Sequence, residues 1–381
     1  MQADESGSYN TFLTDGCLCC QKGAKMVLFV TGICHRDCFF CPLSAERKDK
    51  DVIFANERAV YSDSDVIDEA RSMNAEGTGI TGGEPLLELE KTVHYIRLLK
   101  NEFGRNHHIH LYTSTAPSDE DLKELAGAGL DEIRFHPPTE VWDSLAESDY
   151  EKSLAAAEKY GVCAGFEIPA IAGAEKVAEF AQKSGCFLNL NELEFSDTNA
   201  EELKKRGYTL IDDESNTVLG SAEIAKKAFE AAGIRLEENA GCSDVCSDSP
   251  ADCSKKDSAK LNFCSSRYKD AVQLRLRLLR TAQLYARAFD EITEDGTVAF
   301  GRIKVSDMES FVSFLEEFDL PKEAYEIKAD RDSIETACGI AEELAAILAE
   351  EDLSGLGKIQ VWLIEQYPFE NGFVVGSERI F

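Results

Sequence analysis

Apolar and polar positions follow two alternating patterns over the first half of the chain. Short apolar runs rich in β-branched residues predict buried strands, and apolar residues at helical spacing predict helices between them. The predicted strands cover residues 25–31, 77–80, 108–115, 132–136, 163–171 and 187–195. The predicted helices cover residues 62–74, 86–103, 118–126, 149–160 and 174–184.

This regular alternation predicts an α/β fold with a parallel sheet and helices outside it. Repeated crossovers of one hand curl such a sheet toward a barrel, so six units predict a partial (βα)6 barrel. Functional groups collect at the carboxyl ends of the strands in that architecture. Here those ends carry the segments 34–41 and 81–85 together with Thr113, Ser114, His136 and Glu167.

The second half of the chain has a different pattern. Residues 197–270 are mostly polar and rich in cysteine, whereas residues 271–381 again show strand and helix patterns. We expect strands at 298–305, 358–365 and 374–380 and a helix at 332–350, which together form a small α+β unit. The predicted organisation is therefore an N-terminal segment (1–24), a barrel (25–196), a cysteine-rich extension (197–270) and a C-terminal unit (271–381).

Composition narrows the class of protein. The chain has 381 residues, 44% hydrophobic content and a net charge of −31, which predicts a large core and argues against nucleic-acid or anionic-membrane binding. No apolar run approaches the roughly 20 residues that span a bilayer. The first residues are acidic and polar, so no secretion signal is expected. Thirteen cysteines in such a chain predict a reducing, cytoplasmic setting and metal chemistry.

The most informative stretch follows the first predicted strand. Cys34, Cys38 and Cys41 lie within eight residues, and their thiolates suit iron–sulfur clusters or zinc. A zinc site would need a fourth ligand, and His35 lies poorly placed between the cysteines. A disulfide framework is not expected in a long chain without a secretion signal. A cubane cluster held by three thiolates would keep one iron open for another ligand.

The stretch resembles the CxxxCxΦC motif of the radical S-adenosylmethionine (radical SAM) enzymes, with Phe40 at the aromatic position. The turn Thr81-Gly82-Gly83-Glu84-Pro85 after the second predicted strand resembles the next motif of that family. The resemblance covers residues 25–196. It implies that the three cysteines hold a [4Fe–4S] cluster and that S-adenosylmethionine chelates its fourth iron. It also implies that the turn presents polar groups to the methionyl ammonium.

Other positions of the family match less closely. The resemblance implies that Thr113 and Ser114 bind the ribose or the carboxylate of S-adenosylmethionine and that Glu167 lies near its adenine. His136 would be a polar contact or a proton carrier. His107, His108 and His110 form a cluster, but 107 faces away from the other two on a strand, which favours a structural role.

The remaining cysteines predict a second metal centre. Four follow one another in a polar segment that needs something to order it, namely Cys242, Cys246, Cys253 and Cys264. They could bind an auxiliary [4Fe–4S] cluster by themselves, or Cys17 and Cys20 could combine with two of them. We expect a metal-binding loop or reactive thiols at residues 16–20. Because this segment precedes the first strand, we expect its thiols at the end of the barrel opposite Cys34.

The whole chain resembles archaeal radical SAM proteins of unassigned function described as related to pyruvate formate-lyase activating enzyme. The family mechanism implies reductive cleavage of S-adenosylmethionine to a 5′-deoxyadenosyl radical that abstracts hydrogen from a small molecule or a peptide or protein side chain. A reductant such as ferredoxin or flavodoxin would supply the electron. The alternatives are a glycyl-radical enzyme activase and a non-catalytic iron–sulfur electron carrier or zinc protein, and methyl transfer stays open.

Overall fold

The computed structural model describes residue 4 and residues 6–213, 215–235, 259–318, 320–328, 332–350, 356–369 and 371–381. These residues form two compact units. The first comprises residues 1–71 and 75–273, and the second comprises residues 72–74 and 274–381. None of the helices found within these ranges is long and apolar enough to cross a membrane.

The first unit is built on a mixed sheet with ten strands among the residues described. Seven of them run parallel in neighbouring positions: β2 (Lys25–Phe29), β5 (Gly77–Thr81), β6 (His108–Thr113), β7 (Glu132–Phe135), β8 (Cys163–Pro169), β9 (Phe187–Asn191) and β10 (Lys260–Cys264). Three short strands complete the two edges: β1 (Tyr9–Asn10), β3 (Phe54–Ala55) and β4 (Arg58–Ala59). β1 pairs antiparallel with β10 at one edge, and β3 and β4 lie beyond β2 at the other.

Helices connect the parallel strands and cover one face of the sheet. The main connecting helices are α2 (Asp63–Ser72), α3 (Leu89–Phe103), α4 (Asp119–Ala128), α5 (Asp149–Tyr160) and α6 (Ala174–Ser184), followed by α7 (Ala200–Lys205), α8 (Ser221–Ala231) and the short α9 (Ser266–Tyr268). Sequence signals set several of these ends. Ser118 caps α4 in a reciprocal capping box with Asp121, and Gly161 ends α5 in a left-handed conformation.

One helix lies on the opposite face of the sheet, inside the curved barrel. It is α1 (Asp15–Gln21), and it packs against β2, β5 and β6. The approach is close, since a Cβ built on Gly16 would lie 2.6 Å from the His110 ring and 2.6 Å from the Arg134 guanidinium. Glycine at this position therefore lets the helix sit within the barrel.

The second unit is an antiparallel sheet with helices packed on it. Its strands are β11 (Glu291–Ile292), β12 (Val298–Val305), β13 (Tyr325–Lys328), β14 (Ser333–Thr336), β15 (Ile359–Gln366) and β16 (Val374–Arg379), and its helices are α10 (Arg275–Tyr285), α11 (Met308–Glu316) and α12 (Cys338–Glu350). Ile303, Phe311 and Leu344 lie in its main hydrophobic core. β15 and β16, which correspond to the strands predicted at 358–365 and 374–380, pair antiparallel.

The predicted α/β fold with a partial barrel is confirmed, and the six predicted barrel strands are all present. Three details differ. The sheet continues into a further parallel strand, β10, which the sequence analysis placed in the polar extension. Residues 16–20 form a helix and not a loop. The first part of the helix predicted at 332–350 is strand β14, because its β-branched residues pair with β12 and β13.

Candidate functional site

The cysteine loop follows β2 at the carboxyl edge of the sheet. Cys34, Cys38 and Cys41 are all half-buried and line one cavity of about 320 Å³, called here the loop cavity. Backbone hydrogen bonds fold the loop tightly: Cys41 N donates to Cys38 O, and Arg36 N donates to Cys34 Sγ at 3.4 Å. Three soft thiol donors that face one cavity are a suitable ligand set for an iron–sulfur cluster.

The turn after β5 presses directly against this loop. A Cβ built on Gly83 would lie 2.4 Å from the carbonyl oxygen of Ile33, and one built on Gly82 would lie 2.6 Å from that of Thr31. Backbone bonds connect the two segments, since Gly83 N donates to Thr31 O and Glu84 N donates to Ile33 O. Gly82 and Gly83 line the loop cavity. Only glycine permits the turn and the cysteine loop to approach this closely.

The Glu84 carboxylate of this turn is bound by neighbouring protein groups. It is fully buried and accepts hydrogen bonds from Thr113 Oγ1 and from the backbone N and Oγ of Ser114, each at 2.7 Å. A fourth bond comes from Leu86 N at 3.0 Å. Its oxygens are therefore engaged within the protein. The turn offers the backbone of its two glycines to the loop cavity, and Glu84 joins the ends of β5 and β6.

A second cavity, called here the barrel cavity, extends into the barrel. It has a volume of about 330 Å³ and shares lining residues with the loop cavity, among them Phe40, His136 and Glu167. The ring of Phe40 lies 5.5 Å from that of His136. A group bound at the cysteine loop and a molecule bound in the barrel would therefore meet beside these residues.

Arg134 is the centre of a polar network inside the barrel. It is 3% exposed, and its donors reach the carboxylates of Glu132 and Glu167 at 2.5 and 2.7 Å. Its remaining donors reach Tyr112 and Thr14, and also a cysteine sulfur of α1. Burial alone would lower the pKa of Arg134, but the surrounding anionic groups raise it well above its usual value. The network is a satisfied buried ion cluster that fixes the barrel interior.

Glu167 and His136 connect this network to the junction of the two cavities. Glu167 also accepts from Asn189 and Asn191, and although burial would raise its pKa, Arg134 and Asn191 hold the pKa below its usual value. The carbonyl of Glu167 lies 2.8 Å from His136 Nδ1. Because a carbonyl only accepts, Nδ1 carries the proton, and burial lowers the pKa of His136. The other ring nitrogen, Nε2, is thus the atom of His136 that can accept a proton.

Three further thiols line the barrel cavity: Cys17 and Cys20 on α1 and Cys264 at the end of β10. The sequence analysis expected the N-terminal thiols at the far end of the barrel. In the structure α1 folds back inside the barrel, so its thiols face the cavity that also reaches Phe40. Cys242, Cys246 and Cys253 lie outside the residues that the structure describes.

The structure assembles most of the predicted site. Thr81, Thr113 and Ser114 line the loop cavity with the glycine turn, whereas buried Pro85 begins a short 3₁₀ helix behind it. The histidine cluster is split as expected: the rings of His108 and His110 face each other inside the barrel, and His107 bonds Thr78 on the other side.

The sequence analysis missed the polar residues that line the barrel interior, namely Lys25, Tyr112, Arg134, Asn189 and Asn262. The sequence contains a pattern that predicts these residues. Polar residues stand two apart on neighbouring strands, as in Glu132-x-Arg134-x-His136 and Asn189-x-Asn191, and alternate residues on a strand share a face. Adjacent strands with polar residues at alternate positions predict a polar interior.

Within the described ranges, no three His, Cys, Asp or Glu side chains converge closely enough to hold a single metal ion. A cubane cluster spreads its thiolates over several irons, so cysteines that line one cavity without converging on a single point are a suitable ligand set for it.

Comparisons with known proteins agree with this geometry. The family model described as "Radical SAM superfamily" matches residues 28–161. A second model, a domain of unknown function (DUF8061), matches residues 296–380. The first match contains the cysteine loop and the glycine turn, and the second lies in the C-terminal unit.

A relative from Methanocaldococcus jannaschii carries the description "Putative glycyl-radical enzyme activating enzyme MJ0021". It is 39% identical to this chain over 320 residues, which are 81% of this chain and 79% of the relative. A solved structure, the radical S-adenosylmethionine methyltransferase TsrM from Kitasatospora setae with cobalamin and a [4Fe–4S] cluster, is 12% identical. It covers 55% of this chain and 50% of that protein with a TM-score of 0.36, a likeness too low to support an argument.

Four observations indicate the same family: the cysteine loop, the glycine turn packed on it, the family model and the long match at 39% identity. The chain belongs to the radical SAM superfamily.

Proposed function

We propose that this radical SAM enzyme binds S-adenosylmethionine in the loop cavity and its substrate in the barrel cavity. The observation that carries the proposal is the junction of the two cavities at Phe40, His136 and Glu167. When bound at Cys34, Cys38 and Cys41, the [4Fe–4S] cluster supplies the electron that cleaves S-adenosylmethionine to methionine and a 5′-deoxyadenosyl radical.

The chain's own residues support distinct parts of this reaction. Gly82 and Gly83 offer backbone groups to the methionyl end of S-adenosylmethionine, and Thr113 and Ser114 lie next to them at the end of β6. Phe40 and Pro42 line both cavities and give the junction two apolar side chains. His136 Nε2 can accept a proton there, and Glu167 fixes its orientation through the 2.8 Å bond to Nδ1.

A second [4Fe–4S] cluster belongs to the proposal. Six cysteines outside the loop were predicted as candidate ligands, and three of them line the barrel cavity. Such a cluster would lie beside the substrate. Iron and sulfide analysis of the reconstituted protein tests this part: about eight irons per chain supports two clusters, and about four excludes the second.

One comparison gives an indication of the substrate class. The Methanocaldococcus relative is described as an activating enzyme, which favours a protein substrate with a glycyl-radical site as the second candidate function. The barrel cavity, at about 330 Å³, also accommodates a small molecule or one extended peptide segment. A low-potential electron donor such as ferredoxin or flavodoxin would be the partner in either case.

The decisive experiment is anaerobic reconstitution, reduction with dithionite and addition of S-adenosylmethionine. We expect the wild-type protein to release 5′-deoxyadenosine, detected by liquid chromatography, and Cys38→Ala to release none. Cys186→Ala is the matched control, since Cys186 lines neither cavity. Wild-type product no greater than that of Cys38→Ala would disprove the proposed chemistry.

A further inference from the structure

Three thiols from widely separated parts of the chain meet at the barrel cavity. Cys17 and Cys20 come from α1 and Cys264 comes from β10. One side chain connects two of them, since the amide nitrogen of Asn262 lies 3.8 Å from Cys17 Sγ and 3.4 Å from Cys264 Sγ. The C-x-x-C spacing on one helix turn places the first two on one side of α1, since residues three apart are neighbours.

Polar N–H donors surround the sulfur of Cys17. Its Sγ accepts N–H groups from Arg134 at 3.4 Å, Asn189 at 3.6 Å and Asn262 at 3.8 Å. Asn262 also donates to Cys264 Sγ at 3.4 Å. Three N–H donors directed at one sulfur provide hydrogen bonds that a cluster-bound sulfur accepts. N–H···S bonds of this kind also stabilise and tune sulfur-ligated clusters.

Lys25 adds a positive charge to the same place. Its ammonium lines the barrel cavity and has neither a hydrogen bond nor an ion pair within the ranges that the structure describes. The groups that act on it electrically are Cys20, Tyr112, Arg134 and Glu167, and Glu167 is already held by Arg134 and two asparagines. The ammonium also lies 6.0 Å from the centroid of the Tyr112 ring. A positive charge beside three thiols complements an anionic centre.

We propose that Cys17, Cys20 and Cys264 are ligands of an iron–sulfur cluster inside the barrel. This inference rests on the second cluster of the proposed function and specifies where it binds. A simple dithiol pair of Cys17 and Cys20 would leave the third sulfur, that of Cys264, without a role.

The proposed cluster would lie beside the substrate. The barrel cavity is lined by the three thiols at one place and by Phe40 and His136 at another. A cluster held by the thiols would therefore border the volume in which the substrate is proposed to react.

The test uses the full-length chain with the first cluster removed by the triple variant C34A/C38A/C41A. After anaerobic reconstitution we expect this variant to retain about four irons and four sulfides per chain. Adding Cys17→Ser, Cys20→Ser or Cys264→Ser should each abolish most of that iron and its visible absorption. Because the triple variant cannot cleave S-adenosylmethionine, this result is independent of whether the proposed reaction is correct.

Cys19→Ser and Cys186→Ser in the same background are the controls. Cys19 lies on α1 and is equally buried but does not line the barrel cavity, so both controls should keep their iron. Circular dichroism of each variant shows whether the chain is folded. Full iron in the folded Cys17→Ser variant, zinc in place of iron, or a disulfide between Cys17 and Cys20 in the isolated protein would each overturn the inference.

A second measurement does not depend on removing a ligand. Lys25→Met keeps the stem of the side chain and removes the charge. We expect normal iron content and a more negative reduction potential for the barrel cluster in the triple-variant background, because the lost ammonium favoured the added electron. Lys22→Met on the exposed end of α1 should leave the potential unchanged. Equal potentials in the triple variant with and without Lys25→Met would contradict the placement of the cluster beside Lys25.

Discussion

Glu84 and Ser114 join the ends of two neighbouring barrel strands: one carboxylate oxygen of Glu84 accepts both the backbone N–H and the hydroxyl of Ser114 at 2.7 Å. Its other oxygen accepts Thr113 Oγ1 and Leu86 N. Glu84 thus holds the ends of β5 and β6 together next to the loop cavity.

Replacement of Glu84 by Gln should destabilise the first unit by about 3 kcal/mol. An amide offers one accepting oxygen and one donating nitrogen, so two of the four donors would face a donor, and bonds to charged acceptors are worth about 1.5–3 kcal/mol each. Urea unfolding under anaerobic conditions measures the change. Glu88→Gln is the matched control, because Glu88 is partly exposed and its pair with Lys91 at 3.5 Å is worth under about 1 kcal/mol.

Substitution Gly83→Ala should loosen the cysteine loop without unfolding the protein. The new Cβ would lie 2.4 Å from the carbonyl of Ile33, so the loop must move, at a cost of about 1–3 kcal/mol. We expect an increase of roughly tenfold in the KM for S-adenosylmethionine, measured from 5′-deoxyadenosine release. Gly127→Ala, on α4 with open space around it, should leave the KM unchanged. Equal KM values in the two variants would show that the close packing has no functional role.

His107 should make stability fall on mild acidification. It is 3% exposed, bonds Thr78 and stacks on Phe103, and its burial, followed by the charge of Lys100, lowers its pKa to about 4. Between about pH 6.5 and pH 4 the unfolded chain binds a proton that the folded protein does not. This contribution to stability is therefore complete above pH 6.5 and is lost as the pH falls below it.

The expected loss is about 1.4 kcal/mol at pH 5.5 relative to pH 7.5. Urea unfolding at the two pH values gives the difference for the wild type. His107→Gln keeps a partner for Thr78 but does not titrate, so its stability should change less with pH by that amount. A pH dependence identical to that of the wild type would contradict the role assigned to His107.

The barrel strands and the two motifs could be predicted from sequence because their signals are local. The apolar run of β2 and the glycines after β5 specify a strand and a turn with few competing structures. Ser118 and Gly161 mark helix ends through backbone chemistry that acts within a few residues. The parallel arrangement then follows from the alternation alone.

The interior helix could not be predicted from its own residues. The segment Asp15–Gln21 has a local start signal, since the Thr14 hydroxyl accepts from Cys17 N at 3.2 Å. At seven residues it is too short to be stable by itself, so packing against His110 and Arg134 is needed to stabilise it as a helix. Strand β10 is the seventh parallel strand only because it pairs with β9, a contact between distant parts of the chain. Helix α1 and strand β10 carry the thiols that line the barrel cavity. Local sequence patterns therefore could not predict that Cys17 and Cys264 line the same cavity.

The pairing of β1 with β10 determines when the first unit can be completed during translation. Tyr9 lies opposite Phe263, so the first and the last strand of this unit close it together. A nascent chain has the whole cysteine loop and glycine turn once residue 85 has left the ribosome, whereas a centre that uses both Cys17 and Cys264 exists only after residue 264 has been made. With the barrel cluster proposed above, iron delivery would have two earliest moments, one early in translation and one when the unit is complete.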